Sequence, residues 1–283
     1  MLPIVRLLRP HQWTKNLLVW APFLFVSGWE MPGYSQLVWL AFAAFCCLSS
    51  ATYAFNDVMD AERDRNHPRK SQRPVASGAI SKTLAVTLAF LLLMAGLAIA
   101  VSINMQALGV LGAYAALQIA YSFWLKHEPV LDVFAIAGGF VLRALMGAVA
   151  IQVVASGWLF ACTGLFALFL GFAKRRGELL TLGTEGRESL SKYNAKFLDH
   201  ALTITSASTL VCYALYAISS ATAREHRSLA ITIPIVAFAL LRYLLLAFTQ
   251  DEGSDPDVLL FKDPQLAISL VLFVGAATWA MLR

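Results

Sequence analysis

Apolar residues run through this chain in blocks long enough to cross a lipid bilayer, interrupted by short polar stretches. A helix needs roughly 20 predominantly apolar residues to span the hydrocarbon core, and such blocks recur from end to end. They predict nine helices, at 16–29, 35–55, 83–103, 105–124, 130–151, 157–173, 201–221, 229–249 and 265–282. The first is the shortest and is interrupted by Pro22, which has no backbone donor. No room is left for a separate soluble domain, so residues 1–283 are read as one all-α integral membrane domain, a nine-transmembrane-helix bundle. The opening MLPIVRLLRPHQW carries basic residues without a small-residue cleavage site before the first span, which argues against a cleavable signal peptide.

Composition agrees. The chain is 59% hydrophobic and 14% charged, with a mean hydropathy of +0.67, where soluble proteins carry about 25% charged residues. Lys and Arg concentrate in cytoplasmic loops. With the N-terminus inside, the outer side receives Arg224, Arg227 and Arg283, Arg143 and Arg242 lie within spans, and every other Lys and Arg falls inside. The expected orientation is therefore N-in and C-out, in a bacterial inner (plasma) membrane. The formal net charge of +5 fits this inner face and suits an anionic substrate; nucleic acid is not indicated, and the pattern admits a homo-oligomer. Cys46, Cys47, Cys162 and Cys212 all sit in apolar spans without metal spacing and read as packing residues.

The outer connections, such as SINMQ and QVVASG, are short and poor in charge, whereas the inner ones carry nearly all the polar chemistry. Any active site should open to the cytoplasm. The densest stretch is NDVMDAERDRNHPRKSQRP, 56–74, with three aspartates and five basic residues at the end of an apolar segment. Asn56, Asp60 and Asp64 are spaced to share one face of a helix continuing out of the second span, with Asp57 at its edge and His67-Pro68 as a stop. Carboxylate and amide oxygens suit a hard cation such as Mg²⁺, which keeps positions for phosphate oxygens. Arg69, Lys70 and Arg73 follow immediately and would meet the same phosphates; a self-neutralising solvated loop is the alternative.

Three further clusters stand out. YSFWLKHEPVLD holds Tyr121, Lys126 and Asp132, and Arg143 lies eleven residues beyond Asp132, deep in the fifth span and nearly on the same face. An arginine at that depth usually faces the bundle interior or a ligand path, or else a structural partner. Arg242 raises the same question, and there a structural role is favoured. AKRRGELL carries Lys174, Arg175 and Glu178 at the inner end of the sixth span, a set that would also serve as an ordinary positive anchor. RPHQWTKN places Arg9, Trp13 and Lys15 at the inner interface, where plain anchoring explains them equally well.

NDVMDAERD followed by RP resembles the first aspartate-rich motif of the UbiA-type intramembrane prenyltransferase superfamily, and the resemblance covers essentially the whole chain. One departure matters. Ordinary members carry a second motif, D-x-x-x-D, after the sixth helix, and here KRRGE stands in its place. That replacement, with RPHQWTKN, YSFWLKHEPVLDVF, FVLRA, LLRYLL and PDVLLFKD, is similar to the decaprenyl-phosphate phosphoribosyltransferase branch. The resemblance implies transfer of 5-phosphoribose from phosphoribosyl diphosphate (PRPP) onto a polyprenyl phosphate, in the supply of an arabinose donor for cell-wall glycan.

For the site it implies the following. Asn56, Asp57, Asp60 and Asp64 hold Mg²⁺ on the diphosphate, with Arg73 and Lys126 neutralising charge as the bond from C1 breaks. Lys174, Arg175 and Glu178 hold the 5-phosphate and ribose, and Lys15, Arg69, Lys70, Tyr121 and Asp132 complete the substrate set. Arg143 meets the lipid phosphate. That acceptor is already anionic, so no strong base is needed and the five scattered histidines read as interfacial. Two rivals remain: a prenyltransferase acting on an aromatic acceptor, which should carry the second acidic motif, and a lipid-phosphate transporter, which needs no oxygen ladder.

Overall fold

The computed structural model describes residues 2–25, 31–65, 70–182, 188–249, 259 and 262–283. Among them are eight long helices: α1 (Tyr34–Met59), α2 (Lys82–Ile103), α3 (Met105–Phe123), α4 (Leu131–Ala150), α5 (Gly157–Leu182), α6 (Ala195–Ser219), α7 (Ile233–Thr249) and α8 (Pro264–Met281). In position they correspond to the second to ninth expected helices. Several starts are capped as their sequences require: the side chains of Ser81, Asn194 and Asp263 accept the amides of Leu84, Phe197 and Leu266.

Seven described helical stretches are long and apolar enough to cross a membrane, and the chain is an integral membrane protein. α3, which carries Gln106 and Gln118, is not one of the seven. α2 is the most apolar, yet 22% of its window is buried, and Phe90, Leu91, Met94 and Val101 point outward. An apolar helix with apolar exposed faces is what a lipid surround stabilises.

The first expected span differs from expectation in helix type over its described residues. Its described part is a 3₁₀ helix, Pro10–Trp20, followed by one α turn, Ala21–Leu24; residues 26–29 lie outside the described ones. The Ala21 amide bonds back three residues to the Leu18 carbonyl, and Pro22 has no amide with which to restore the four-residue pattern. Three residues per turn put Trp13, Asn16 and Val19 in line, and Asn16 and Val19 are buried.

The described residues fall into two compact units. One is built from those of Met1–Phe23, Met31–Ser122 and Leu142–Val154, the other from those of Leu24–Glu30, Phe123–Val141 and Ala155–Arg283. In the first, α1 and α2 pack through small residues, with Ala85, Ala89, Gly96 and Ala100 as the buried stripe of α2. A Cβ on Gly96 would come 3.1 Å from the Ala44 carbonyl oxygen, and one on Gly147 would come 1.9 Å from that of Val19. The end of α4 therefore lies directly on the N-terminal 3₁₀ segment.

In the second unit α5 packs on α6, and α7 on both α6 and α8, around Phe169, Leu198, Leu202, Leu240 and Tyr243. α5 outlasts its expected end at 173 by nine residues. Its charged turn stays helical because partners are at hand: Arg176 Nε donates to Asp199 Oδ1 at 2.6 Å and its Nη1 to the Ala247 carbonyl at 2.6 Å.

Candidate active site

In the first unit, α1 ends within the acidic motif. Asp60 leaves the helix at φ −91°, ψ 1°, and a short helix, Ala61–Arg65, carries on beyond it. The Asp60 amide still bonds to the Asn56 carbonyl at 2.9 Å and that of Asp64 to the Asp60 carbonyl at 2.8 Å, so the ladder bends without breaking. Ala61 is drawn into the cluster of Leu7, Ala54, Val75 and Ile80, which sets the bend. The single face expected for Asn56, Asp60 and Asp64 is thereby altered: Asp57 and Asp64 are the buried acids, while Asn56 and Asp60 are half-buried.

The two buried acids are joined by arginine. Arg73 Nη1 lies 2.7 Å from Asp64 Oδ2 and 3.5 Å from Asp57 Oδ1, and Arg9 Nη2 donates to Asp57 Oδ1 at 2.6 Å. Arg9 was noted in the sequence as an interfacial anchor, and its pairing with Asp57 had no signal there. Asn56 Oδ1 accepts weakly from Ser122 Oγ at 3.4 Å, next to Tyr121. Lys15, Lys70 and Tyr121 are half-buried in this unit; Arg69 lies outside the described residues, as do His67 and Pro68. Partial burial, and then the charges of Arg9 and Lys15, hold the His11 imidazole below its ordinary pKa.

These residues fit a hard divalent cation. Among the described residues no three His, Cys, Asp or Glu side chains already converge as a metal cluster. However, Asp57 Oδ2 is buried without a hydrogen-bond partner among the described residues, and the side-chain atoms of Asn56, Asp57, Asp60 and Asp64 able to ligate a cation are all oxygen.

Arg143 lies in the same unit and is 6% exposed. Its Nε donates to Asn16 Oδ1 and its Nη2 to the Tyr114 hydroxyl, both at 2.8 Å. Its guanidinium carbon stands 4.8 Å from the Tyr114 ring centroid and 5.5 Å from that of Phe45. Asn16, one polar residue at the start of an apolar run, was the available signal for this partnership.

In the second unit, Asp132 from one sequence cluster meets Arg175 and Glu178 from another. Arg175 is fully buried; its Nη1 donates to Glu178 Oε2 at 2.6 Å, and its Nε stands 3.5 Å from Asp132 Oδ2. Asp132 Oδ1 accepts from the Tyr193 hydroxyl at 2.9 Å and from the Val133 amide at 2.9 Å, and its Oδ2 from Ser189 Oγ at 3.4 Å. The Tyr193 hydroxyl in turn takes the amide of Val130, a β-branched residue held at φ 68°. Burial, and then the neighbouring Asp132, push the Tyr193 phenol up. Tyr193 and Ser189 carried no signal in the sequence. Lys126 lies half-buried in the turn Leu125–His127, and Lys174 is half-buried on α5. Arg242 forks onto Asp263, with Nη2 to Oδ2 at 2.7 Å and Nε to Oδ1 at 3.3 Å, the structural role favoured for it.

An all-helical membrane fold, with an acidic helix end closed by arginines, defines the class. The UbiA prenyltransferase family model matches residues 17–263, and the chain belongs to that family. It is 34% identical to the decaprenyl-phosphate phosphoribosyltransferase of Mycolicibacterium smegmatis over 96% of this chain and 90% of that protein. The protein of the same name from Mycobacterium tuberculosis is 33% identical over 97% and 93%. Among solved structures, a UbiA homolog from Archaeoglobus fulgidus bound to GPP and Mg²⁺ superposes with a TM-score of 0.77 at 20% identity, covering 99% of this chain and 100% of that one.

Proposed function

We propose that this chain transfers 5-phosphoribose from PRPP to a polyprenyl phosphate of decaprenyl type and releases diphosphate. The observation that carries the reading is KRRGE at the place of a second acidic motif, in a chain similar over nearly its full length to proteins of that activity. A divalent cation such as Mg²⁺ would be held by Asn56, Asp57, Asp60 and Asp64, and would neutralise charge on the departing diphosphate.

The chain's own residues do the rest. Arg73 and Lys126 stabilise negative charge as the C1–O bond to diphosphate breaks. Lys15, Lys70, Tyr121 and Arg69 bind the donor's anionic groups. Lys174, Arg175 and Glu178 hold the 5-phosphate and ribose end, with Asp132 fixing Arg175. A lipid phosphate oxygen then forms the new bond to C1, with inversion, and its existing negative charge removes the need for a base. Arg143 is assigned to the lipid phosphate. Nine spans, N-in and C-out orientation in a bacterial inner membrane, and access from the cytoplasm complete the proposal, supported by the distribution of Lys and Arg.

Purified protein in detergent, given Mg²⁺, labelled PRPP and decaprenyl phosphate, should move label into the lipid phase. Turnover of a prenyl diphosphate with an aromatic acid and none with PRPP would refute the reading in favour of a prenyltransferase, and no turnover of either would favour a transporter.

A further inference from the structure

Arg9 has no role in the reaction above, yet it occupies the most enclosed acid of the motif. Asp57 is 1% exposed, and its Oδ1 is 2.6 Å from Arg9 Nη2, while its Oδ2 has no hydrogen-bond partner among the described residues. A carboxylate this enclosed requires a countercharge. Arg73 is shared, nearer to Asp64 at 2.7 Å than to Asp57 at 3.5 Å, so among the described residues the close charge on Asp57 is that of Arg9. A divalent cation taking up the unpartnered Oδ2 would supply that charge instead, and would place a like charge beside the guanidinium.

We propose that Arg9 is a placeholder for the cation at Asp57, and that it becomes a ligand of the donor's diphosphate once the cation is bound. This rests on the function proposed above. Three features suit an exchange made by the side chain alone. Its side chain is 21% exposed, so it is not sealed away from solvent. Its Cζ stands 4.9 Å from the Tyr53 ring centroid, which offers the cation a platform off the carboxylate. The segment carrying it is anchored independently: Trp13 Nε1 donates to Ser50 Oγ at 3.0 Å, Ser50 Oγ to the Leu8 carbonyl at 2.8 Å, and Leu7 is fully buried. Arg9 is also the joint between the helix Pro3–Leu8 and the 3₁₀ segment, at φ 53°, ψ 57°, a left-handed conformation that a residue with a side chain adopts at a cost. The planar fork of arginine matches two diphosphate oxygens as well as it matches a carboxylate.

The test uses the full chain in detergent, with Mn²⁺ as a paramagnetic stand-in and no substrate, reading free Mn²⁺ by EPR. Arg9→Gln should bind Mn²⁺ about tenfold more tightly than the wild type, while its KM for PRPP rises about tenfold. In the wild type, Mn²⁺ should speed modification of Arg9 by phenylglyoxal, followed by mass spectrometry, and added diphosphate should then protect it. This second measurement needs no variant to fold. Mn²⁺ binding with no change in Arg9 reactivity, or unchanged or weaker Mn²⁺ binding by a folded Arg9→Gln, overturns the placeholder and leaves the proposed function standing. A wild type that binds no Mn²⁺ without substrate overturns the placeholder as well, and the labelled-PRPP assay decides the proposed function separately.

Discussion

The Tyr193 hydroxyl donates to Asp132 Oδ1 at 2.9 Å, joining residues 61 positions apart and fixing the start of α4 to the approach to α6. The same oxygen takes the Val130 amide, so one phenol holds both a buried acid and a left-handed valine in place. Tyr193→Phe leaves the Val130 amide and Asp132 each short of a partner, at roughly 1–3 kcal/mol per buried group. We expect a lower melting temperature in detergent and a higher KM for PRPP, with the KM for lipid phosphate unchanged; steady-state kinetics on both substrates checks it.

Gly147 is a packing requirement of the first unit. An alanine there would press its Cβ 1.9 Å from the Val19 carbonyl oxygen, which is backbone and cannot rotate away. Overpacking of this kind costs about 1–3 kcal/mol. Gly147→Ala should lower the melting temperature clearly, while Gly109→Ala, with no described atom within 4 Å of the added carbon, should not.

Arg143→Ala should raise the KM for polyprenyl phosphate more than that for PRPP. Equal effects on the two would count against its assignment to the lipid phosphate. Because Arg143 also donates to Asn16 and Tyr114, melting curves must accompany the kinetics, and a KM split in a protein that still melts cooperatively is the expected outcome.

The Arg242–Asp263 pair predicts an acid-sensitive contribution to stability. The hydrogen bond from Arg242 holds the Asp263 carboxyl below its ordinary value of about 3.9. A group whose pKa is depressed on folding stabilises the fold above its unfolded pKa and loses that contribution as pH falls through the folded one. Asp263→Asn keeps a side-chain oxygen to cap α8 and loses the ion pair. Its melting temperature should trail the wild type near neutrality and converge with it below about pH 4.

Long helices were legible because lipid leaves helix as the one economical way to satisfy their backbone, so apolar length alone marks them. The 3₁₀ segment was not, because hydropathy is blind to whether three or four residues close a turn. Within the site, the acids and the KRRGE cations announced themselves as charges in an apolar chain, and Asp132, Arg175 and Glu178 do meet. What pairs with what was hidden. Arg9 reaches Asp57 across 48 residues and Tyr193 reaches Asp132 across 61, and no local spacing encodes such partners. The bend at Asp60 was hidden for a related reason: it is set by the burial of Ala61 against Leu7 and Val75, residues outside the motif.

The 3₁₀ segment Pro10–Trp20 has a consequence for how this chain tolerates change in length. With three residues to the turn, one inserted residue rotates everything before it by about 120° and carries Trp13 away from Ser50, whereas three inserted together restore the line of Trp13, Asn16 and Val19. Between Pro10 and Trp20 insertions and deletions in threes should therefore keep each side chain's facing while shifting it about 6 Å along the axis, a counting rule imposed by the backbone.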